Sequence, residues 1–327
     1  MRKMVVFVVI LLLLVLLVSG GLFYQQLNRK QPVKAVDLLV PVGASSGQIA
    51  RLLEQHQLIR SALSFRLWLR IKHLDQSLRS GVYHFEKPAT MLEVIERLQQ
   101  GDVMRFTVTV PEGLRSDEVL QLLADKTAVP LQKWRQALTT LVQGDSEGLL
   151  LPETWQYNKP LDAKRLLRTM IKAQQSVLDS LTMDSNEQMR LRIMASILEK
   201  ETSLERERPL VSAAIHNRLR IGMPLQMDPT VIYGIYRTQG AFSGNIHRAD
   251  LKKDTPWNSY TRKGLPPTPI CNPGRASLLA AAAPAAVDYL YFVADGSGGH
   301  AFATTLAEHD RNVRQWVALE RKRSHGK

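Results

Sequence analysis

Residues 194–234 read MASILEKETSLERERPLVSAAIHNRLRIGMPLQMDPTVIYG. Placed on a helix spanning residues 191–205, at about 100° per residue, Leu191, Met194, Ile197 and Leu198 form one apolar stripe. Glu201 falls near the centre of that stripe, and Glu199 points well away from it. The pattern predicts a solvated Glu199 and a Glu201 aimed at the interior or at a cleft wall. Lone carboxylates are rarely buried without a reason. Desolvation raises a carboxyl pKa and so keeps a proton available near neutral pH. The competing structural reading pairs Glu201 with Arg206, Arg208 or Arg218 as an ion pair. Asp228-Pro229 predicts the start of a second helix, with Asp228 as cap and Pro229 at the first helical position. Val231, Ile232 and Ile235 supply its apolar face.

On the N-terminal side, residues 4–24 are an uncharged run of apolar residues with Gly, Ser and Tyr. Its length suits a helix crossing a bilayer. Arg2 and Lys3 precede it, which favours a cytoplasmic N-terminus, and no clear A-x-A site follows, so an uncleaved single-pass anchor is expected. A polar and basic linker is expected at 25–36. Beyond it, residues 38–42, 82–85 and 105–110 read as strands. Helices are expected from Ser45 or Ser46 to about 56, from 61 to 72, and from Thr90 to 98, with Gly101 as a stop. Val40-Pro41-Val42-Gly43 and Val110-Pro111-Glu112-Gly113 are each followed by a Ser and an apolar helical face at the same spacings, an internal echo.

Residues 114–182 read as helical, interrupted by EGLLLPETWQY at 147–157. After 234, residues 245–250 and 255–269 are loop-rich. Asn258, Ser259 and Tyr260 offer polar contacts there, and Pro266-Pro267-Thr268-Pro269 makes a rigid wall. Ser277 is expected to cap a helix at 278–283. Residues 289–294 and 300–304 alternate as a hairpin around Asp295-Gly296-Ser297-Gly298-Gly299. That turn joins two strands and opens no helix, so it is no phosphate loop.

The 327 residues are 45% hydrophobic, enough for a substantial core. The net charge of +13 admits nucleic acid, an anionic membrane surface or an anionic polymer as partner. The charge is spread out and no zinc-finger or RNP-like motif accompanies it, which argues against nucleic acid. The single Cys271 can form no intramolecular disulfide and is expected to pack in the Pro-rich loop. His300 and His309 lack helical ligand spacing, so no metal is expected.

Asn217, Gln226, Asp228, Thr230 and Tyr233 are neutral or acidic hydrogen-bonding side chains suited to sugar hydroxyls. With ASILEKET at 195–202 and HNRLRIGMPLQMDPTVIYG at 216–234, the chain closely resembles the YceG-like family. NSYTRKGLPPTPICNPG at 258–274, AAAAPAAVDYLYFVADGSGGHAF at 280–302 and the N-terminal anchor fit the same family, most strongly from 147 to 311. The resemblance implies that the second Glu of E-K-E-T, Glu201, is the catalytic acid. It also implies that the 147–157 loop lines the substrate cleft, where Trp155 and Tyr157 have the flat bodies and polar edges to stack on sugar rings. Glu153 is the further carboxylate to watch.

The expected class is α+β. It comprises a stub (1–3), a transmembrane helix (4–24), the linker (25–36), a LysM-like α/β subdomain (37–108), a mainly helical catalytic domain with a small β-hairpin (109–320) and a basic tail (321–327). The implied activity is that of a membrane-anchored lytic transglycosylase with its catalytic domain in the periplasm. It would cut the MurNAc–GlcNAc bond within nascent peptidoglycan strands, leave a 1,6-anhydro end and help terminate elongation. No cofactor is required, and penicillin-binding peptidoglycan synthases are the protein partners to consider. Two alternatives stand beside it: a hydrolytic muramidase using Glu153 or Asp228 as second carboxylate, and a non-catalytic glycan-binding scaffold.

Overall fold

Helix α1 (Arg2–Asn28) carries the uncharged run; its 25 residues from Met4 to Asn28 extend about 37 Å at 1.5 Å per residue, enough to cross a bilayer. The structure, a computed structural model, describes residues 2–325 apart from positions 33 and 243. The chain is α+β and divides into two compact units. One comprises Met1–Thr107 with Gln156–Leu161, the other Val108–Trp155 with Asp162–Lys327.

In the first unit the order after α1 is β1 (Val36–Val40), α2 (Ser46–Gln55), α3 (Ala62–Lys72), β2 (Gly81–Phe85) and α4 (Met91–Gln100). β1 and β2 pair antiparallel, Leu38 opposite Tyr83 and Val40 opposite Gly81. Strand alternation sends Leu38, Val40, Tyr83 and Phe85 to one face, where they meet Leu53, Phe65, Val94 and Leu98 in the core. The helix starts follow from local chemistry. Ser45 with Gln48, and Thr90 with Glu93, form reciprocal capping boxes, and Gly101 ends α4 in the left-handed conformation. Leu27, in the last turn of α1, is buried in this same core.

β3 (Phe106–Thr109) pairs with a later strand, β4 (Thr154–Tyr157), and both cross the boundary between the units. Between them lie α5 (Ser116–Thr127) and α6 (Leu131–Leu141). The internal echo survives as backbone geometry: Gly43 and Gly113 share a φ of 76°, each three residues before a helix.

The second unit continues with α7 (Ala163–Asp179), α8 (Ser185–Glu201), α9 (Arg208–Arg220), α10 (Asp228–Gln239), α11 (Arg275–Ala282), the antiparallel hairpin β5 (Tyr291–Ala294) and β6 (His300–Ala303), and α12 (Leu306–His325). α8 is its axis, packed by α7, α9, α10 and α11. Residues 191–198 are buried on every side, so the single-stripe reading of this helix is incorrect. Its polar members are satisfied: Arg192 donates to Gln174 (2.9 Å), and Ser196 donates to the Ile193 carbonyl and accepts from the Ile270 amide.

Four further expectations shift. α8 stops at Glu201 rather than 205, because Thr202 is extended and its hydroxyl accepts from the Leu204 amide. Met227 occupies the cap of α10, moving Asp228 and Pro229 one position into the helix. Gly274, not Ser277, precedes α11, and Ser277 is buried inside it. α12 carries residues 321–325 of the expected basic tail on as helix.

Candidate active site

Glu201 is the last residue of α8, where helical carbonyls point toward it and an ionised carboxylate is disfavoured. Its Oε1 is fully enclosed and has no hydrogen-bond partner among the described residues. Burial, then the Asp228 charge, pushes its pKa up to about 8 against the opposing pull of Arg218. The acid is therefore protonated at neutral pH, the state a general acid needs.

Arg218, on α9, does not form an ion pair with it. Its guanidinium donates to the carbonyls of Leu290 (2.6 Å), Pro224 (3.4 Å) and Leu225, and lies over the Tyr291 ring. Arg208 pairs instead with Glu112 and Glu199, and Arg206 is exposed. The structural reading of Glu201 as an arginine's partner thus finds no salt bridge among the described residues.

Asp228 opens α10, exposed and electrostatically coupled to Glu201. The Tyr260 hydroxyl donates to its Oδ1 at 2.6 Å, and burial with that bond pushes the phenol pKa upward. Gln226, two residues earlier, is exposed with a left-handed φ of 51°, its amide held by the Ser259 carbonyl. Glu201, Asp228, Tyr260 and Gln226 are thus the sequence candidates that the fold gathers. A cleft of about 580 Å³ is lined by Lys200 and Pro229, the chain neighbours of Glu201 and Asp228, with Ile232, Tyr236, Phe242 and Ile270 among others; none of the four candidates lines it.

The other candidates have committed polar groups. Asn217 donates to the carbonyls of Val287 (2.9 Å) and Tyr289 (3.0 Å), tying α9 to the approach of β5. Thr230 is completely buried, bonded to the Met227 carbonyl and the Ser259 hydroxyl. Tyr233 is buried and donates to Glu147 at 3.1 Å. Trp155 packs on the core of the second unit with its indole N–H on the Leu151 carbonyl, 3.1 Å away. Tyr157 belongs to the first unit and stacks on Phe106 at 5.7 Å. Glu153 is exposed and pairs with Arg275 at 3.6 Å. Cys271 is buried, as expected, its thiol on the Ser196 carbonyl.

Glu199 contradicts its predicted solvation. Its side chain is only 6% exposed, accepting from the Gly274 amide (2.8 Å) at the start of α11 and facing Arg208 at 3.7 Å. A Cβ on Gly274 would fall 1.7 Å from Glu112 Oε1, so a larger residue there would displace the half-exposed Glu112 side chain from the helix start.

Two buried carboxylates carry no sequence signal, because both lie outside any periodic segment. Glu147 accepts from the Ser116 amide and hydroxyl and from Tyr233, and burial pushes its pKa up to about 7. Glu207 accepts from the His300 amide (3.0 Å), His300 Nδ1 (2.7 Å) and Thr202 (3.3 Å), so the β5–β6 hairpin is bonded to the residue after Glu201. Tyr260 was legible only as one polar residue in a loop.

A family model described as the YceG-like family matches residues 38–315. A Bacillus subtilis protein named endolytic murein transglycosylase is 28% identical over 93% of this chain and 92% of its own. One of the same name from Streptococcus pneumoniae D39 is 28% identical over 91% of this chain, which spans 63% of that relative's length. A crystal structure of a YceG-like protein from Listeria monocytogenes aligns with a TM-score of 0.52 at 26% identity, covering 85% of this chain and 99% of that one.

Proposed function

This chain belongs to the YceG-like family, and from that premise we propose that it is a murein transglycosylase whose proton donor is Glu201. The observation that carries the assignment is the carboxyl at the end of α8, its Oε1 enclosed and without a partner among the described residues, in surroundings that push its pKa upward. Its relatives' shared name supplies the substrate class.

In the proposed reaction Glu201 gives its proton to the glycosidic oxygen as the C1–O bond breaks. Positive charge develops at C1 of the N-acetylmuramic acid residue. Asp228, oriented by Tyr260, is the nearby negative group placed to offset it. The Glu201 carboxylate then takes the proton of the sugar's 6-hydroxyl, whose oxygen closes on C1. The acid is regenerated, no water is consumed, and the new end is a 1,6-anhydro sugar. The anchor α1 would keep this chemistry at the membrane where strands are made. We place the second unit on the periplasmic side, acting within nascent strands to end their elongation, and expect the first unit to engage glycan and synthases to be neighbours.

The electrostatic coupling of Asp228 to Glu201 also favours a hydrolytic reading, in which Asp228 activates a water. Full-length protein incubated with purified sacculi distinguishes the two by product mass. Anhydro ends, one water lighter than reducing ends and absent with Glu201→Gln, are the expected result. Reducing ends would establish hydrolysis, and unaltered cleavage by Glu201→Gln would remove Glu201 from the mechanism.

A further inference from the structure

Helix α3 lies directly against the membrane-spanning helix and exposes an apolar stripe that nothing in its own unit covers. Phe23 of α1 meets Trp68 at 6.3 Å, and Gln26 accepts from the Ser64 hydroxyl at 2.5 Å. Ser64 sits beside residue 26 and Trp68 beside residue 23, so α3 packs on the last turns of α1, at the end of the apolar run where the bilayer surface would lie. Leu63, Leu67 and Ile71 are 74%, 47% and 54% exposed, far above what a soluble helix of this unit needs to leave bare.

The order of residues around α3 is informative. At 100° per residue, Ser64 and Trp68 form the edge facing α1; Leu63, Leu67 and Ile71 come next; Arg66 and Arg70 follow, both exposed. The stripe is therefore continuous with the lipid-facing surface of the span on one side and bordered by cations on the other. Lys72 lies over the Trp68 ring at 5.1 Å, and Arg29 and Lys30 are exposed just beyond the end of α1. Trp at the edge of a span, an apolar stripe and flanking long cations are the composition of a helix lying in a membrane interface.

We propose that α3 is an interfacial helix that docks its Leu63–Leu67–Ile71 stripe on the anionic phospholipid bilayer crossed by α1, with Arg66 and Arg70 at the headgroups. The docking rests on α1 spanning the bilayer and fixes the first unit flush with the membrane surface.

The test uses full-length protein reconstituted in vesicles, with single cysteines introduced at Leu13, Leu63, Leu67, Ile71 or Lys126 and spin-labelled. The buried Cys271 leaves the wild type as the blank. All five positions are exposed, so the substitutions spare the core. In phosphatidylglycerol-containing vesicles, labels at 13, 67 and 71 should collide more with oxygen than with a polar nickel reagent, and the label at 126 the reverse. In phosphatidylcholine alone the labels at 67 and 71 should move toward water while 13 stays in lipid. A lipid signal at 13 with water-like signals at 63, 67 and 71 in the anionic vesicles overturns the docking while leaving the span intact. A water-like label at 13 overturns both. Labels on the stripe shielded from both reagents would mean that protein covers it, and equal lipid exposure in both vesicle types would remove the anionic headgroup from the assignment.

Discussion

Two glutamates separated by one lysine sit in different surroundings. Glu201 is held protonated by burial and by Asp228, whereas Glu199 is held by an amide and an arginine. Glu201→Gln preserves shape and removes the transferable proton, so turnover on sacculi should fall by about 10²- to 10⁴-fold while the fold persists. Its stability should respond to pH in a definite sense. Below the ordinary carboxyl pKa both folded and unfolded Glu201 are protonated, and the acid costs nothing extra. As pH rises toward about 8 the unfolded chain releases the proton first, so the wild type loses stability across that window. Glu147, also raised, is common to both proteins and cancels. Melting curves of the two proteins should therefore diverge in favour of Glu201→Gln between about pH 5 and about pH 9; parallel curves would contradict a buried, neutral Glu201. Glu199→Gln should behave differently. It weakens the acceptor that holds the Gly274 amide at the start of α11 and leaves buried Arg208 with Glu112 as its ion-pair partner, and a loss of roughly 0.5–1.5 kcal/mol is expected by denaturant melts. A loss of activity no greater than that loss of fold would separate its role from that of Glu201.

At the scale of elements, the end of α8 is shaped by segments far away in sequence. The loop at 269–272 supplies Ile270 to the Ser196 hydroxyl, and Asn272 bridges the Leu150 amide (2.8 Å) and the Leu114 carbonyl (3.0 Å). Asn272→Ala leaves the buried Leu150 amide without its partner, while the Leu114 carbonyl keeps the backbone amide of residue 272, and should cost roughly 1–3 kcal/mol. Because the same loop supplies the Ile270 amide to Ser196 of α8, KM on sacculi should shift as well. An unchanged midpoint in urea would show that water replaces the amide. Helix boundaries were legible to within a residue or two at Ser45, Ser61, Thr90 and Gly101, which bound their helices by local bonds or local backbone freedom, but not at Ser277, where the helix starts three residues earlier than read. The stop after Glu201 was not legible, since Thr202 breaks the helix through Leu204 and Glu207 contacts that no helical period encodes.

For the whole molecule, α1 is long and apolar enough to cross a bilayer, and as an anchor it would set where the proposed chemistry happens. It presents about 37 Å of uncharged helix and buries Leu27 in the core of the first unit, so helix and unit are joined by packing as well as by the chain. After alkaline carbonate washing of cell membranes, the full-length protein should remain in the pellet and appear in the wash only with detergent. Release by carbonate alone would mean that α1 does not cross the bilayer. The α+β class and the family were both readable before any coordinates, because periodicity, turn residues and long ordered blocks are properties of the linear chain.

Sequence alone marked most of the helices and strands and the apolar run long enough to span a bilayer, and it selected Glu201 through a family resemblance and a polar position on an apolar helix. The helical-phase half of that selection rested on a stripe that does not exist: α8 is buried all round, and Glu199 is buried with it. What only the tertiary structure decided is which polar side chains remain available. Asn217, Thr230 and Tyr233 share the chemistry of sugar-binding residues with Asp228 and Gln226, yet the first three spend their donors on Val287, Met227 and Glu147. A side chain's composition states how many hydrogen bonds it can make. Whether a substrate or the protein receives them depends on partners brought up from 70 residues away along the chain, as for Asn217, or 86, as for Tyr233.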